Sequence, residues 1–189
     1  MKKIALFASG SGSNAENIIK YALATSSFEV VKIYCNNPQA GIILRAFPLN
    51  VPVEVFSKKK FFESEYILED LKSKKIDAVI LAGFLWLIPP YLIKEYGNRM
   101  LNIHPALLPK FGGKGMYGMN VHNAVKESHE SKTGITIHKV NNEYDKGDIV
   151  FQAECLVCDE DNPETIAQKV HALEYEFFPK IIDKFLNEM

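Results

Sequence analysis

The segment KKIALFASGSGSNAEN, residues 2–17, decides the fold class. A short apolar run at residues 4–8 leads into a stretch of glycine and serine, and a helix-like pattern follows at once. This order is typical of a buried strand that turns directly into a helix. The segment therefore predicts the first β-α unit of an α/β domain.

The turn within this segment has the composition of a phosphate-binding loop. Gly10 and Gly12 permit a tight turn and a close backbone approach to a ligand, and we expect Ser13 to cap the helix with Glu16 completing a capping box. The free N–H groups at the start of a helix attract anions. A plain strand-to-helix turn is the alternative, but the loop is richer in donors than a turn requires.

With Ala15, the glycine spacing also satisfies the dinucleotide pattern G-x-G-x-x-G/A. That pattern predicts an acidic residue at the end of the second strand, for the ribose hydroxyls. Here the second strand ends YCNNP, at residues 34–38, without an acid. The loop therefore favours a mononucleotide-like phosphate or a sugar phosphate over NAD, and a dehydrogenase is disfavoured.

The same alternation of strand and helix continues along the chain. Strands are predicted at residues 3–8, 29–35, 53–56, 78–82 and 100–103, and helices at 15–24, 41–49, 61–74 and 89–96. Residues 133–140 and 149–156 predict two further strands in a long hairpin, and residues 163–186 a final helix with Asn162 as its N-cap. Because residues 78–82 read AVILA without alternation, both faces of the sheet should be covered. The pattern predicts an open, mostly parallel, Rossmann-like twisted sheet with helices on both faces, antiparallel strands near the C-terminal part and a long C-terminal helix.

The stretch LNIHPALLP, residues 101–109, closes the last parallel strand with two polar side chains. Residues two apart in a strand point to the same side, so Asn102 and His104 should share the carboxyl edge, where ligands bind in open α/β sheets. An amide can stabilise an oxyanion and an imidazole can move a proton near neutral pH. Asp145 is the candidate to orient the ring, and Asp148 is its competitor.

Composition excludes several classes of protein. The chain has 189 residues, of which 47% are hydrophobic, and a formal net charge of −1, so we expect residues 1–189 to form a single domain without a nucleic-acid surface. The apolar runs are too short for a signal peptide or a membrane span, which predicts a cytoplasmic protein with no membrane partner. Three cysteines make no disulfide framework, and five histidines lack metal-binding spacing, so no metal is expected. The oligomeric state is left open.

Taken in order, a set of motifs gives the chain a family likeness. It resembles the glycinamide ribonucleotide formyltransferases, folate-dependent enzymes of purine biosynthesis, over nearly its whole length. The motifs are SGSGSN (9–14), LAGFLWLIP (81–89), LNIHPALLPKF (101–111), TGITIHKV (133–140), EYDKGDIVFQ (143–152) and HALEYEFFP (171–179).

The resemblance implies a reaction and a set of catalytic roles. The amine of glycinamide ribonucleotide would attack the formyl carbon of 10-formyltetrahydrofolate, the co-substrate, so both partners are small molecules. Asn102 would stabilise the oxyanion, His104 would act as the general acid, and Asp145 would orient His104 and raise its pKa.

The resemblance also implies two binding regions. Residues expected to bind the ribonucleotide are Gly12, Ser13, Asn14, Gly83, His171 and Glu174. Residues expected to bind the folate are Leu85, Trp86, Leu87, Ile88, Asn102, Asn141, Asn142, Glu143, Tyr144 and Asp145.

Three features depart from the family pattern. Trp86 stands where the family often has arginine, and Ser64 falls near an arginine that the family links to the folate. Residues 112–131, GGKGMYGMNVHNAVKESHES, replace a shorter loop, and we expect them to cover the site. Candidates for ligand contact in this segment are Lys114, Tyr117 and His122.

Other functions share parts of this pattern. A formyltetrahydrofolate hydrolase, or an enzyme that formylates another amine, would use the same Asn–His–Asp set, but the phosphate loop favours the ribonucleotide enzyme. A binding module without chemistry would tolerate changes at Asn102 and His104.

Overall fold

The computed structural model describes all residues from Met1 to Met189, and a single seven-stranded sheet lies at its centre. The strands are β1 (Lys2–Ala8), β2 (Phe28–Cys35), β3 (Val53–Val55), β4 (Ala78–Leu81), β5 (Met100–His104), β6 (Lys132–Lys139) and β7 (Ile149–Leu156), in the spatial order β3-β2-β1-β4-β5-β6-β7. The first five run parallel, whereas β6 and β7 are each antiparallel to their neighbours. The predicted mostly parallel sheet with antiparallel strands near the C-terminal part is confirmed.

Seven helices connect and cover the strands. They are α1 (Ser13–Thr25), α2 (Ile42–Ala46), α3 (Lys58–Phe62), α4 (Tyr66–Ser73), α5 (Pro90–Tyr96), α6 (Met119–Glu127) and α7 (Pro163–Asn187). The long C-terminal helix α7 was expected, and its start is confirmed: Asn162 accepts a hydrogen bond from Thr165 N–H, with Pro163 as the first helical residue. No helix has both the length and the apolar character that crossing a membrane requires.

Alternate residues of the central strands enter two separate cores. Ile4 and Leu6 of β1 pack on the side of α1 and α7, and Ala5 and Phe7 pack on the side of α4 and α5. Burial on both faces explains why β4 reads AVIL without a polar position. Strand order reverses between β1 and β4, and ligands of open α/β sheets bind at the carboxyl ends of the strands near such a reversal.

Two predicted helices are shorter than expected. The helix predicted at residues 41–49 ends at Ala46 and continues as the 3₁₀ turn Phe47–Leu49, where Pro48 has no N–H to donate. The helix predicted at 61–74 is instead two helices, α3 and α4, separated at residues 63–65. Ser64 Oγ donates to the Lys60 carbonyl at 2.7 Å there, a local bond that competes with helix continuation.

The predicted capping box at α1 is wrong. Gly12 is the N-cap, in the left-handed conformation at φ 78°, and no side chain caps the helix. Ser13 is already helical, and Glu16 turns outward to Lys20 and Arg45. Its partners are therefore cations rather than the N-cap backbone.

The segment 112–131 is only partly a loop. Its second half contains the unpredicted helix α6, which packs on α7. Val121, His122 and Val125 are its buried residues, and the spacing of the two valines was the only apolar signal for it.

Candidate active site

Asn102 and His104 lie together at the carboxyl end of β5, as their spacing predicted. Asn102 pairs across the sheet with His138 of β6, and its Nδ2 lies 3.0 Å from His138 Nε2. His138 Nδ1 lies 2.7 Å from the Lys139 carbonyl. Because a carbonyl only accepts and an amide nitrogen only donates, Nδ1 carries a proton and Nε2 accepts from Asn102. One amide hydrogen of Asn102 is thus held, and the other is free for a ligand.

His104 is only 3% exposed, and its two ring nitrogens have different surroundings. Nε2 lies 2.8 Å from the Phe111 carbonyl, so Nε2 carries a proton. Nδ1 faces Asp145, with 3.5 Å to Oδ2. The nitrogen that can gain or lose a proton is therefore Nδ1.

The peptide bond before Pro105 is trans, and the cis bond of this segment is Leu108–Pro109.

Asp145, and not its competitor Asp148, lies beside His104. Its Oδ2 accepts from Gly113 N–H at 2.8 Å, and its Oδ1 lies 3.6 Å from His138 Nε2. Burial alone would raise the pKa of Asp145, but the rings of His138 and His104 and the Gly113 N–H bring it below its ordinary value. Asp145 is therefore a carboxylate at neutral pH.

The expected rise in the pKa of His104 is not what the structure shows. Burial lowers the pKa of His104 below its ordinary value of 6.5, and the attraction of Asp145 offsets only part of that decrease. His104 is thus mainly neutral near pH 7 in the unliganded protein.

The phosphate loop between β1 and α1 leaves its N–H groups unused. The backbone N–H groups of Gly12, Ser13 and Asn14 donate to no acceptor within the protein. Gly12 cannot be replaced without strain, because a Cβ there would lie 2.5 Å from Ile42 Cβ in addition to the positive φ. Three free donors at a helix N-terminus are the arrangement that binds a phosphate.

Gly83 joins this loop to the neighbouring strand. Its carbonyl accepts from Ser9 N–H at 3.0 Å, and Ser9 Oγ accepts from Leu85 N–H at 3.0 Å. Gly83 itself has φ 75°, and a Cβ added to it would meet no atom within 4 Å. The two hydrogen bonds tie the ends of β1 and β4 together.

Glu174 and His171 of α7 extend the phosphate loop. Glu174 is only 5% exposed, and its Oε2 accepts from Asn14 Nδ2 and pairs with His171 Nδ1, both at 2.9 Å. The hydrogen bond to Glu174 raises the pKa of His171. The predicted ribonucleotide residues are thus brought together at one end of the site.

The segments predicted to bind folate face each other across a narrow cleft of about 50 Å³. Two larger clefts, of about 460 and 490 Å³, lie away from the catalytic side chains, and Asp148 lines the first of them. Of the predicted folate residues, Leu85 and Asn142 do not line the cleft. Those that line it are Trp86, Leu87, Ile88, Asn102, Asn141, Glu143, Tyr144 and Asp145.

Trp86 belongs to an aromatic cluster at the mouth of this cleft. Its ring lies within 5.8 to 5.9 Å of the rings of Phe56, Phe61 and Phe62, measured between centroids. Ser64 is exposed and bonds only to Lys60 of its own segment. The wall of the cleft is thus apolar at the position where an arginine was expected from the family pattern.

The chain is similar to known proteins over nearly its whole length. The model of the family described as "Formyl transferase" matches residues 2–182. The chain is 36% identical to phosphoribosylglycinamide formyltransferase of Bacillus subtilis over 99% of this chain and 96% of that protein. It is 40% identical to the chloroplastic enzyme of Arabidopsis thaliana, of which it spans 66%. Among solved structures, glycinamide ribonucleotide transformylase 1 of Geobacillus kaustophilus superposes with a TM-score of 0.88 at 34% identity, over 98% of this chain and 99% of that one.

Proposed function

The chain belongs to the formyl transferase family, and from that membership we propose that it transfers the formyl group of 10-formyltetrahydrofolate to the amine of phosphoribosylglycinamide. The products are the N-formyl ribonucleotide and tetrahydrofolate, in purine biosynthesis. The observation that carries the proposal is that Asn102, His104 and Asp145 lie between a phosphate loop and an apolar cleft.

The two ends of the site suit the two substrates. The N–H groups of Gly12, Ser13 and Asn14 would hold the phosphate, and Glu174 would accept from the ribose or the glycinamide. Apolar side chains around Trp86 suit a flat ring, and the backbone of residues 141–145 offers donors and acceptors to its edge. The residues present therefore have the chemistry that each molecule requires.

Asn102 is placed to stabilise the charge that develops during transfer. When the amine adds to the formyl carbon, the carbonyl oxygen becomes an oxyanion, and the free Nδ2–H of Asn102 donates to it. His138 fixes the orientation of this amide before the reaction starts, and preorganised donors of this kind act without reorganisation at the moment of reaction.

His104 moves the proton that the attacking amine must lose. Because its neutral ring has a free Nδ1, it accepts this proton, and it then donates the proton from Nδ1 to the folate nitrogen as the formyl carbon–nitrogen bond breaks. Asp145 stabilises the imidazolium that exists between these two events. His104 thus acts as a general acid whose proton comes from the substrate.

The assay that tests this function uses both substrates. We expect the purified protein to release tetrahydrofolate only when phosphoribosylglycinamide and 10-formyltetrahydrofolate are present together. Release without the ribonucleotide would identify a formyltetrahydrofolate hydrolase, and absence of turnover would refute transfer.

A further inference from the structure

A buried histidine on α6 lies outside the catalytic set described above. His122 is only 1% exposed, yet its Nδ1 has no hydrogen-bond partner. Buried polar atoms are nearly always paired, because an unpaired one loses its hydration without compensation. Only four buried side-chain polar atoms in the chain lack a partner, so this one calls for an explanation.

The position of His122 gives that explanation. Its ring is in edge contact with the ring of His171, with centroids 6.3 Å apart, and His171 in turn pairs with Glu174. A second unpaired buried atom, Asn14 Oδ1, belongs to the same cluster, because the amide of Asn14 donates to Glu174. Two of the four unpaired atoms thus lie around the proposed ribonucleotide site.

Charge decides which kind of group His122 can bind. Burial, followed by the charge of His171, lowers the pKa of His122, and Glu174 only partly opposes that decrease. The charge of His104 lowers the pKa of His122 as well. A neutral imidazole has one donor and one acceptor.

A sugar hydroxyl matches this cluster better than a phosphate does. The buried carboxylate of Glu174 repels an anion, whereas the N–H groups of the phosphate loop already supply its donors. A hydroxyl can donate to Glu174 or to Asn14 Oδ1 and can exchange a hydrogen bond with an imidazole nitrogen.

We infer that His122 Nδ1 hydrogen-bonds a ribose hydroxyl of the ribonucleotide substrate and so contributes to its selection. The inference rests on the proposed function and assigns a contact to the inserted segment 112–131. Of the three ligand-contact candidates in that segment, it selects His122.

The test compares the KM of each substrate among variants. His122→Phe keeps a ring and removes both nitrogens, whereas His122→Asn offers a polar atom near the Nδ1 position. His129→Asn is the matched control, since His129 is exposed just beyond α6 and its φ of 51° suits asparagine. We expect His122→Phe to raise the KM for phosphoribosylglycinamide about tenfold and to leave the KM for 10-formyltetrahydrofolate within about twofold. His122→Asn should recover part of the loss, and the control should match the wild type.

Ribonucleotide analogues that lack the 2′ or the 3′ hydroxyl complete the test. For the analogue that lacks the hydroxyl bound by His122, the wild type and His122→Phe should have the same KM, because the hydrogen bond to His122 Nδ1 is already missing. An unchanged KM for the ribonucleotide, or an equal rise in both KM values with a lower unfolding temperature, would overturn the inference. If His122→Phe does not fold, His122→Asn is compared with the wild type instead. The inference would then be overturned if removal of the 2′ hydroxyl, and likewise of the 3′ hydroxyl, raised the KM by the same factor in both proteins.

The outcomes remain separable from those of the proposed function. A wild type without turnover would refute that function, whereas calorimetric titration of the ribonucleotide into the wild type and the variants would still measure the His122 contact.

Discussion

The orientation of two side chains, Asn102 and His104, determines what the site can do. Each is held through one nitrogen by a fixed acceptor, which is His138 Nε2 for Asn102 and the Phe111 carbonyl for His104. The remaining hydrogen of Asn102 and the Nδ1 of His104 are thereby left free for the proposed reaction. Holding catalytic groups in one geometry before the substrate binds is a large part of catalysis.

We expect Asn102→Ala to lower kcat by about two to three orders of magnitude, the usual effect of losing one oxyanion donor. The KM values should change little, because the hydrogen bond to the oxyanion forms only in the transition state. Steady-state kinetics measures both quantities, and Asn98→Ala, at an exposed position, is the control. A loss in kcat below about tenfold would remove this role from Asn102.

Asp145→Asn separates orientation from charge at His104. Burial lowers the pKa of His104, and the carboxylate of Asp145 opposes that decrease. Removal of the carboxylate should therefore lower the pKa of His104 further. The kcat should fall as well, because the imidazolium intermediate is less stable. NMR titration of the His104 ring and steady-state kinetics measure the two effects. Asp148→Asn, which changes an acid of the same loop away from the site, should leave both unchanged. A pKa of His104 that rises in Asp145→Asn would contradict the assigned electrostatics.

The sequence could place Asn102 and His104 but not the residues that hold them. Their shared side follows from the period of two along β5. His138, by contrast, reaches Asn102 only through the antiparallel pairing of β6 with β5. No local pattern specifies such a register, so this partner was missed, as were Phe111 and Gly113.

At the scale of elements, long-range contacts overrode local signals at two places, the cap of α1 and the helix α6. The expected cap of α1 failed because Glu16 binds Arg45 of α2, from another part of the chain. Helix α6 forms from a sequence with few apolar residues because Val121 and Val125 are buried against the rest of the protein. The predicted helix at 61–74 is divided for a local reason, the hydrogen bond from Ser64 Oγ to the Lys60 carbonyl. In contrast, α7 carries its own start signal in Asn162 and Pro163, and it was predicted correctly.

The carboxylate of Asp70 fixes α4 to the sheet. It accepts from Lys32 Nζ at 2.6 Å and Tyr34 OH at 2.5 Å, both on β2, and from Lys74 at 2.8 Å. Burial alone would raise the pKa of Asp70, but these three donors bring it well below its ordinary value of 3.8. The carboxylate is therefore stabilised by folding.

We expect Asp70→Asn to lower the free energy of unfolding by about 3 kcal/mol near neutral pH, because the buried Tyr34 and the largely buried Lys32 lose a charged partner. A lowered pKa gives stability that is fully present above the ordinary value of 3.8 and is lost as pH falls towards the folded-state pKa. The difference from the wild type, measured by urea unfolding, should accordingly shrink below that pH. Glu69→Gln, on the exposed side of α4, is the control, and a difference independent of pH would contradict the ionic explanation.

At the scale of the whole molecule, the sheet arranges two binding regions along one edge. The proposed ribonucleotide end is built by α1 and α7 on one side of the sheet, and the proposed folate cleft by the segments after β4 and β6. Asn102 and His104 lie between them, at the end of β5. Under the proposed function, the two substrates would contact largely different residues and would meet only at Asn102 and His104.

Separate binding regions predict that the stabilising effects of the two ligands add. A ligand at about one hundred times its Kd stabilises a fold by about 2.7 kcal/mol, which raises the unfolding temperature of a chain of this size by about 5 to 10 °C. We expect phosphoribosylglycinamide and a non-reactive folate analogue each to give such a shift, and both together to give nearly the sum. Asn14→Ala should reduce only the shift from the ribonucleotide, because Asn14 contacts Glu174 at that end alone, whereas Asn98→Ala should change neither shift. Thermal unfolding with each ligand measures this, and a variant that loses both shifts equally would show that the two regions are coupled through the fold.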